Sequence, residues 1–173
     1  MSYYGLDHTG LWQAVVKISD TYIELFIATI GSVYYRKVRS LIFDSYQLRK
    51  YLKDMLAVVI PVSIVGLALL YFFRDTAIDL VYSPEFKQAR HLFKFQLTGD
   101  FFSIISYMLT YVIIAQARIS LLVLLQGGSA IMYIALVVLL SQWHSIEAIP
   151  MAHAIRFGLF LMVLIVLNKR MLF

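Results

Sequence analysis

Met55 to Phe73, Phe101 to Ala117 and Ile119 to Ser141 each run without one charged side chain. Nothing constrains the fold more, because a helix needs about 20 mostly apolar residues to cross the hydrocarbon core, with every backbone group bonded internally. A fourth run, Ile149 to Asn168, is interrupted only by His153 and Arg156. A fifth, Leu11 to Tyr35, carries Lys17, Asp20 and Glu24 inside an otherwise lipid-compatible stretch. Only 14% of the 173 residues are charged, against about a quarter in soluble domains. These features predict an all-α, polytopic membrane helix bundle of about five transmembrane helices. We read residues 1–173 as a single transmembrane domain with spans at 11–35, 55–73, 101–117, 119–141 and 149–168. Cysteine is absent, which removes disulfides and thiolate metal sites. The opening "MSYYGLDHTG" lacks the basic region and cleavage site of a signal peptide, so insertion is expected to rely on the helices themselves.

The basic residues orient the spans. Arg36, Lys37, Arg39, Arg49, Lys50 and Lys53 crowd the first connector, Arg118 sits in the third, and Lys169 and Arg170 follow the last span. The opposite side holds Arg74, Lys87, Arg90 and Lys94. The positive-inside bias places the first group in the cytoplasm, the N-terminus outside and the C-terminus inside. The same rule accounts for the net charge of +5, so nucleic acid is not an expected partner.

The outer connector has its own pattern. Ser83, Pro84 and Glu85 form a helix start. Beyond it Phe86, Ala89, Phe93 and Leu97 share one face, and Lys87, Arg90, His91 and Lys94 another. This predicts an amphipathic external helix over 84–97, resting either on membrane lipid or on the bundle.

In the first span, Gln13, Lys17, Asp20 and Glu24 are spaced by four, three and four residues, which puts them on one helix face. Each charge costs roughly 2.5–3.5 kcal/mol at the membrane centre, so the stripe must face protein or water. An ion pair such as Lys17 with Asp20 explains two charges. A third plus a glutamine points to a polar cavity. Asp100, Gln116, Gln126, His153 and Arg156 are further polar groups in or beside spans. Asp100, next to the outer start of the third span, also suits a helix first turn on electrostatic grounds alone.

Nothing here is built for catalysis. His144, Glu147 and His153 match no usual ligand spacing, and Pro150 divides them. There is no Gly-rich phosphate loop and no nucleophile elbow. We expect no enzyme, no catalytic residue, no cofactor and no metal site.

Three segments carry a resemblance: "GLWQAVVKISDTYIELFIATIGSVYY", "LLYFFRDTAIDLVYSPEFKQARHLFKFQLTGDFF" and "YVIIAQARI". In this order they resemble the C-terminal part of the Wzx-type flippases of lipid-linked oligosaccharides, a group that includes the O-antigen translocases and the flippases of enterobacterial common antigen. The shared features are Trp12-Gln13, Ile18-Ser19-Asp20, Arg74-Asp75, Phe86, Gln96-Leu97 and Gly99-Asp100. The resemblance spans Gly10 to about Arg170. It implies the fold of the multidrug/oligosaccharidyl-lipid/polysaccharide exporters, two six-helix bundles around a central cavity, of which this chain is similar to the last five helices. The chain departs from the family pattern at Tyr34-Tyr35-Arg36-Lys37, where Leu-Pro follows the tyrosines, at Ala115-Gln116-Ala117, where the family has Ala-Lys-Ala, and at Gln126, where a glutamate is expected. An amide contact between Gln116 and Gln126 would replace an ion pair without leaving a buried charge.

The resemblance thus implies a C-terminal segment of a flippase in the bacterial inner membrane. Its substrate would be an undecaprenyl-pyrophosphate-linked oligosaccharide, an O-antigen or enterobacterial common antigen unit. Its partners would be that lipid-linked oligosaccharide, membrane lipid and a separately encoded N-terminal half. The expected cavity or ion-coupling residues are Gln13, Lys17, Asp20, Glu24, Asp100, Gln116, Gln126 and Arg156. The competing reading is a non-transporting remnant, or a helical partner of a split membrane protein. Reporter fusions should place 36–53 in the cytoplasm and 74–98 in the periplasm, and a common side for both would refute the five-span topology.

Overall fold

In a computed structural model of the chain, which describes residues 6–82 and 84–172, every element is helical. In chain order they are α1 (Leu6–Leu41), α2 (Ser45–Phe72), α3 (Arg74–Val81), a 3-10 helix (Pro84–His91), α4 (Phe93–Ala115), α5 (Ile119–Leu140), α6 (Ala148–Leu167) and α7 (Lys169–Leu172). Among the described residues, α2, α4, α5 and α6 are long and apolar enough to cross a membrane. The fold is an all-α polytopic bundle. Although 36 residues long, α1 falls outside that set, and Lys17, Asp20 and Glu24 lie along it.

Two expected boundaries need correction. The basic stretch after Tyr35 is not an open connector: α1 continues to Leu41 and α2 begins at Ser45. Burial explains why the helices extend. Val38, Leu48 and Leu52 are fully buried against one another's cluster, while Arg36, Lys37, Arg39, Lys50 and Lys53 remain on the surface. The Asp44 side chain caps α2 by accepting from the Gln47 amide at 3.0 Å. From there α2 continues as one helix through Pro61.

The stretch expected as one amphipathic helix over 84–97 is two elements. A 3-10 turn ends at His91, Leu92 forms the junction, and α4 starts at Phe93. Tertiary contacts hold this geometry. Lys87 pairs with Asp79 of α3 at 2.8 Å, and Ala89, Leu92, Phe93 and Leu97 pack with Val15 and Ile78. The apolar face therefore rests on the bundle. The expected Ser83 cap lies outside the described residues, as do the side chains of Pro84 and Glu85.

The hub is α4, which touches α1, α2, α5, α6 and the 3-10 helix. Of its apolar window 67% is buried, against 11% in α2 and 6% in α5. Small residues permit this. A Cβ on Gly99 would run into the His153 ring and stand 3.1 Å from the Ala154 Cα, so α4 and α6 meet nearly backbone to backbone. At the other end of α4, the buried Tyr34 donates its hydroxyl to the Met108 carbonyl at 3.2 Å and stacks on Tyr51 of α2 at 5.8 Å. That one tyrosine joins α1, α2 and α4. The outermost helix is α5, which buries only Ser129 and leans mainly on α6.

The turn from α4 to α5 spans Gln116 to Arg118. The Arg118 amide donates to the Ile113 carbonyl at 3.2 Å and the Ala117 amide to Ile114 at 2.9 Å, the paired bonds of a Schellman ending. Ala117 holds the left-handed position, with φ 55°, where glycine is the usual choice. Replacing Ala117 by Gly should therefore stabilise the protein by up to about 1 kcal/mol. An unchanged or lower midpoint of thermal unfolding in detergent would contradict this.

Candidate functional site

Asp100 is the centre of the polar interior. Because α4 starts at Phe93, Asp100 lies two turns inside the helix rather than in its first turn, so helix-end electrostatics do not account for it. Its carboxylate is almost completely buried and receives donors from three helices. From α1, the Ser19 hydroxyl donates to Oδ2 at 2.7 Å and the Tyr22 hydroxyl donates to the same oxygen. From α4 itself, the Gln96 amide reaches Oδ1 at 3.2 Å and also the Ser19 hydroxyl at 3.1 Å. From α6, His153 Nε2 stands 3.0 Å from Oδ1. Gln96 and Asp100 share a face of α4 by their four-residue spacing, and Ser19 and Tyr22 share a face of α1 by their three-residue spacing.

This node forms part of the wall of a cavity of about 280 Å³ between α1, α4 and α6, with Tyr133 of α5 at one side. Asp20 and Arg156 line it too. Arg156 is half-buried. Its Nε donates to Ser129 Oγ at 2.8 Å, and its guanidinium lies 4.8 Å from the Phe157 ring centre and 5.5 Å from that of Tyr133. Among the described residues no carboxylate comes within ion-pair distance of it.

Of the residues singled out in the sequence, the fold brings Asp20, Asp100 and Arg156 together on this cavity. Gln13, Lys17 and Glu24 do not line it; they stand exposed on α1, and no ion pair joins Lys17 to Asp20. Gln116 caps the end of α4, while Gln126 is exposed on α5, seven residues and about 10 Å of helix beyond Ile119. No hydrogen bond joins the two amides among the described residues, because one sits in the turn and the other well up the next helix.

Ser19, Tyr22 and Gln96 escaped the sequence reading as site residues. His153 stood out only as a polar group and as a member of a poor metal set. That set is dispersed: Glu147 faces His91 at 3.8 Å, whereas His153 faces Asp100. Among the described residues no three His, Asp or Glu side chains converge on a metal-sized site. A larger groove of about 410 Å³ between α1 and α2 has hydrocarbon walls apart from Ser63 and Tyr22, so it offers little polar chemistry.

Over 121 residues, 70% of its length, the chain is 32% identical to the lipid III flippase of Escherichia coli (strain K12) and equally to that of Shigella flexneri. The chain is homologous to lipid III flippases. It spans 29% of the length of each of these relatives. No family model and no solved structure matches it. With its four apolar helices, this homology makes the chain a multi-pass membrane protein related to transporters.

Replacing Asp100 with Ala would leave several buried donors without an acceptor, at about 1–3 kcal/mol each. We expect a loss of roughly 3 kcal/mol, with Asp100→Asn milder because its amide oxygen still accepts. Equal unfolding midpoints for wild type and Asp100→Ala would show that the node does not hold the helices together.

Proposed function

We propose that the chain is the C-terminal segment of a flippase that moves an undecaprenyl-pyrophosphate-linked oligosaccharide, an O-antigen or enterobacterial common antigen unit, across the bacterial inner membrane. The observation that carries the reading is the 121-residue match to two lipid III flippases, which falls on a chain whose helices enclose a polar cavity. In this reading the N-terminus lies in the periplasm and the C-terminus in the cytoplasm. Further helices, forming an N-terminal half, complete the transporter.

Two physical features support it. A sugar cannot cross hydrocarbon unless polar groups replace its water, and the cavity beside Asp20, Asp100 and Arg156 supplies such groups between spanning helices. The exposed Gln13, Lys17 and Glu24 continue the polar face of α1 past the cavity. Three such side chains cannot rest in lipid at roughly 2.5–3.5 kcal/mol for each charge, so they face the water-filled space between the two halves. Alternating access by rocking of two bundles requires that second half.

The test is complementation in a strain that lacks its own flippase, read as surface glycan. Co-expression with a matching N-terminal half should restore glycan, and the chain alone should not. Absence of glycan from the assembled pair, verified by co-purification, would refute the flippase reading. Restoration by the chain alone would refute the need for a second half.

A further inference from the structure

We propose that the cavity between α1, α4 and α6 is a subsite for a single neutral sugar ring, and not a site for the diphosphate of the transported lipid. The inference rests on the function proposed above for the origin of the sugar. It is argued from the cavity itself.

Charge comes first. Two carboxylates, Asp20 and Asp100, face one guanidinium, Arg156, so the lining is net negative whenever His153 is neutral. A diphosphate brought here would meet more repulsion than attraction, and the guanidinium is already flanked by Ser129 and two rings. A bound metal ion fits no better. Both Asp100 oxygens are occupied by contacts from Ser19, Tyr22, Gln96 and His153, leaving Asp20 as the one carboxylate of the lining with free oxygens, too few ligands to hold a metal ion.

What remains is the chemistry that a pyranose satisfies. Asp20 forms no hydrogen bond or ion pair through its side chain among the described residues, so its oxygens are free to accept from hydroxyl groups. Only the Nε of Arg156 is engaged by Ser129, so its terminal N–H groups can donate to ring or hydroxyl oxygens. A carboxylate on α1 and a guanidinium on α6 thus present an acceptor and a donor to the hydroxyls of a ring held in the cavity they both line.

The apolar half of the lining matches too. Trp12, Tyr107, Tyr133 and Phe157 all border the cavity, and a sugar offers C–H faces that pack on aromatic rings. Size sets the limit. At about 280 Å³ the cavity lies at the lower edge of the usual range for ligand pockets, about 300–1,000 Å³, which suits one ring rather than a chain of them.

Trp12 provides the probe, since the other tryptophan, Trp143, is 71% exposed in the turn after α5. In the full chain carrying Trp143→Phe, in detergent, methyl glycosides of neutral hexoses and N-acetylhexosamines should shift the Trp12 emission saturably. Inorganic pyrophosphate at the same concentrations should not. Asp20→Ala, at an exposed position where folding is not at stake, should weaken glycoside binding about tenfold, the loss of one charge-assisted hydrogen bond. Tyr133→Ala should weaken it as well. Saturation by pyrophosphate but not by glycosides, no response to any glycoside, or unchanged binding by Asp20→Ala would overturn the proposal. The two readings fail separately: glycoside binding in a pair that restores no surface glycan removes the flippase reading alone, and glycan restored without glycoside binding removes the sugar subsite alone.

Discussion

A buried carboxylate that satisfies donors from three helices is the interaction on which the rest of this bundle depends. Lipid tails are as apolar as leucine, so helices in a bilayer gain little by hiding hydrocarbon from one another. Their association needs close packing and polar contacts. Asp100 supplies the polar contacts by accepting from Ser19 and Tyr22 of α1 and meeting His153 of α6. Gly99, one residue earlier, supplies the close packing by letting the same ring of His153 approach the α4 backbone. Adjacent residues thus fix both the distance and the rotation of α6 against α4. The polar cavity follows from this arrangement, because the donors that satisfy Asp100 come from the helices that wall it.

The rotation of α1 is set in the same way. With Ser19 and Tyr22 turned inward to Asp100, helical geometry turns Gln13, Lys17 and Glu24 outward and leaves Asp20 at the cavity edge. One helix therefore presents two polar faces, one satisfied within the bundle and one not. This is why α1 lacks the uniform apolarity of the other long helices. A helix used only to cross the bilayer has no reason to carry either face, so the composition of α1 reflects what it must touch on both sides.

How much of this was legible in the sequence depends on the range of the interactions. The uncharged runs mark α5 and α6 closely, because exclusion of charge is a local demand of the bilayer. The helices α2 and α4 begin ten and eight residues before the apolar runs at 55 and 101, since both start in charged sequence outside those runs. Arg49, Lys50 and Lys53 read as connector by charge, yet Leu48 and Leu52 bury the opposite side of the same turns. The error at Asp100 followed from the late start given to α4, which made an interior acid look like one in a first turn. Asp20 and Arg156 were identifiable because ionisable groups in spans are rare. Their shared cavity was not, because the facing of α1, α4 and α6 is a tertiary fact that no spacing encodes. Tyr22 was the hardest to see, for half of it obeys the apolar rule.

Tyr22 also shows how the bundle keeps its two environments apart. Its ring lines the hydrocarbon groove between α1 and α2, while its hydroxyl reaches Asp100 beside the polar cavity. Ile104 lines the same groove from α4, and its neighbour Ser103 faces the cavity. The partition between apolar and polar space is thus one side chain thick, and it runs along the contact of α1 with α4. A phenylalanine would complete the apolar wall but leave Asp100 with one donor fewer; a serine would supply the hydroxyl but open the wall. Only a side chain with an apolar body and a polar tip meets both demands. The residue that joins α1 to the buried acid is therefore the one that separates the cavity from the hydrocarbon groove.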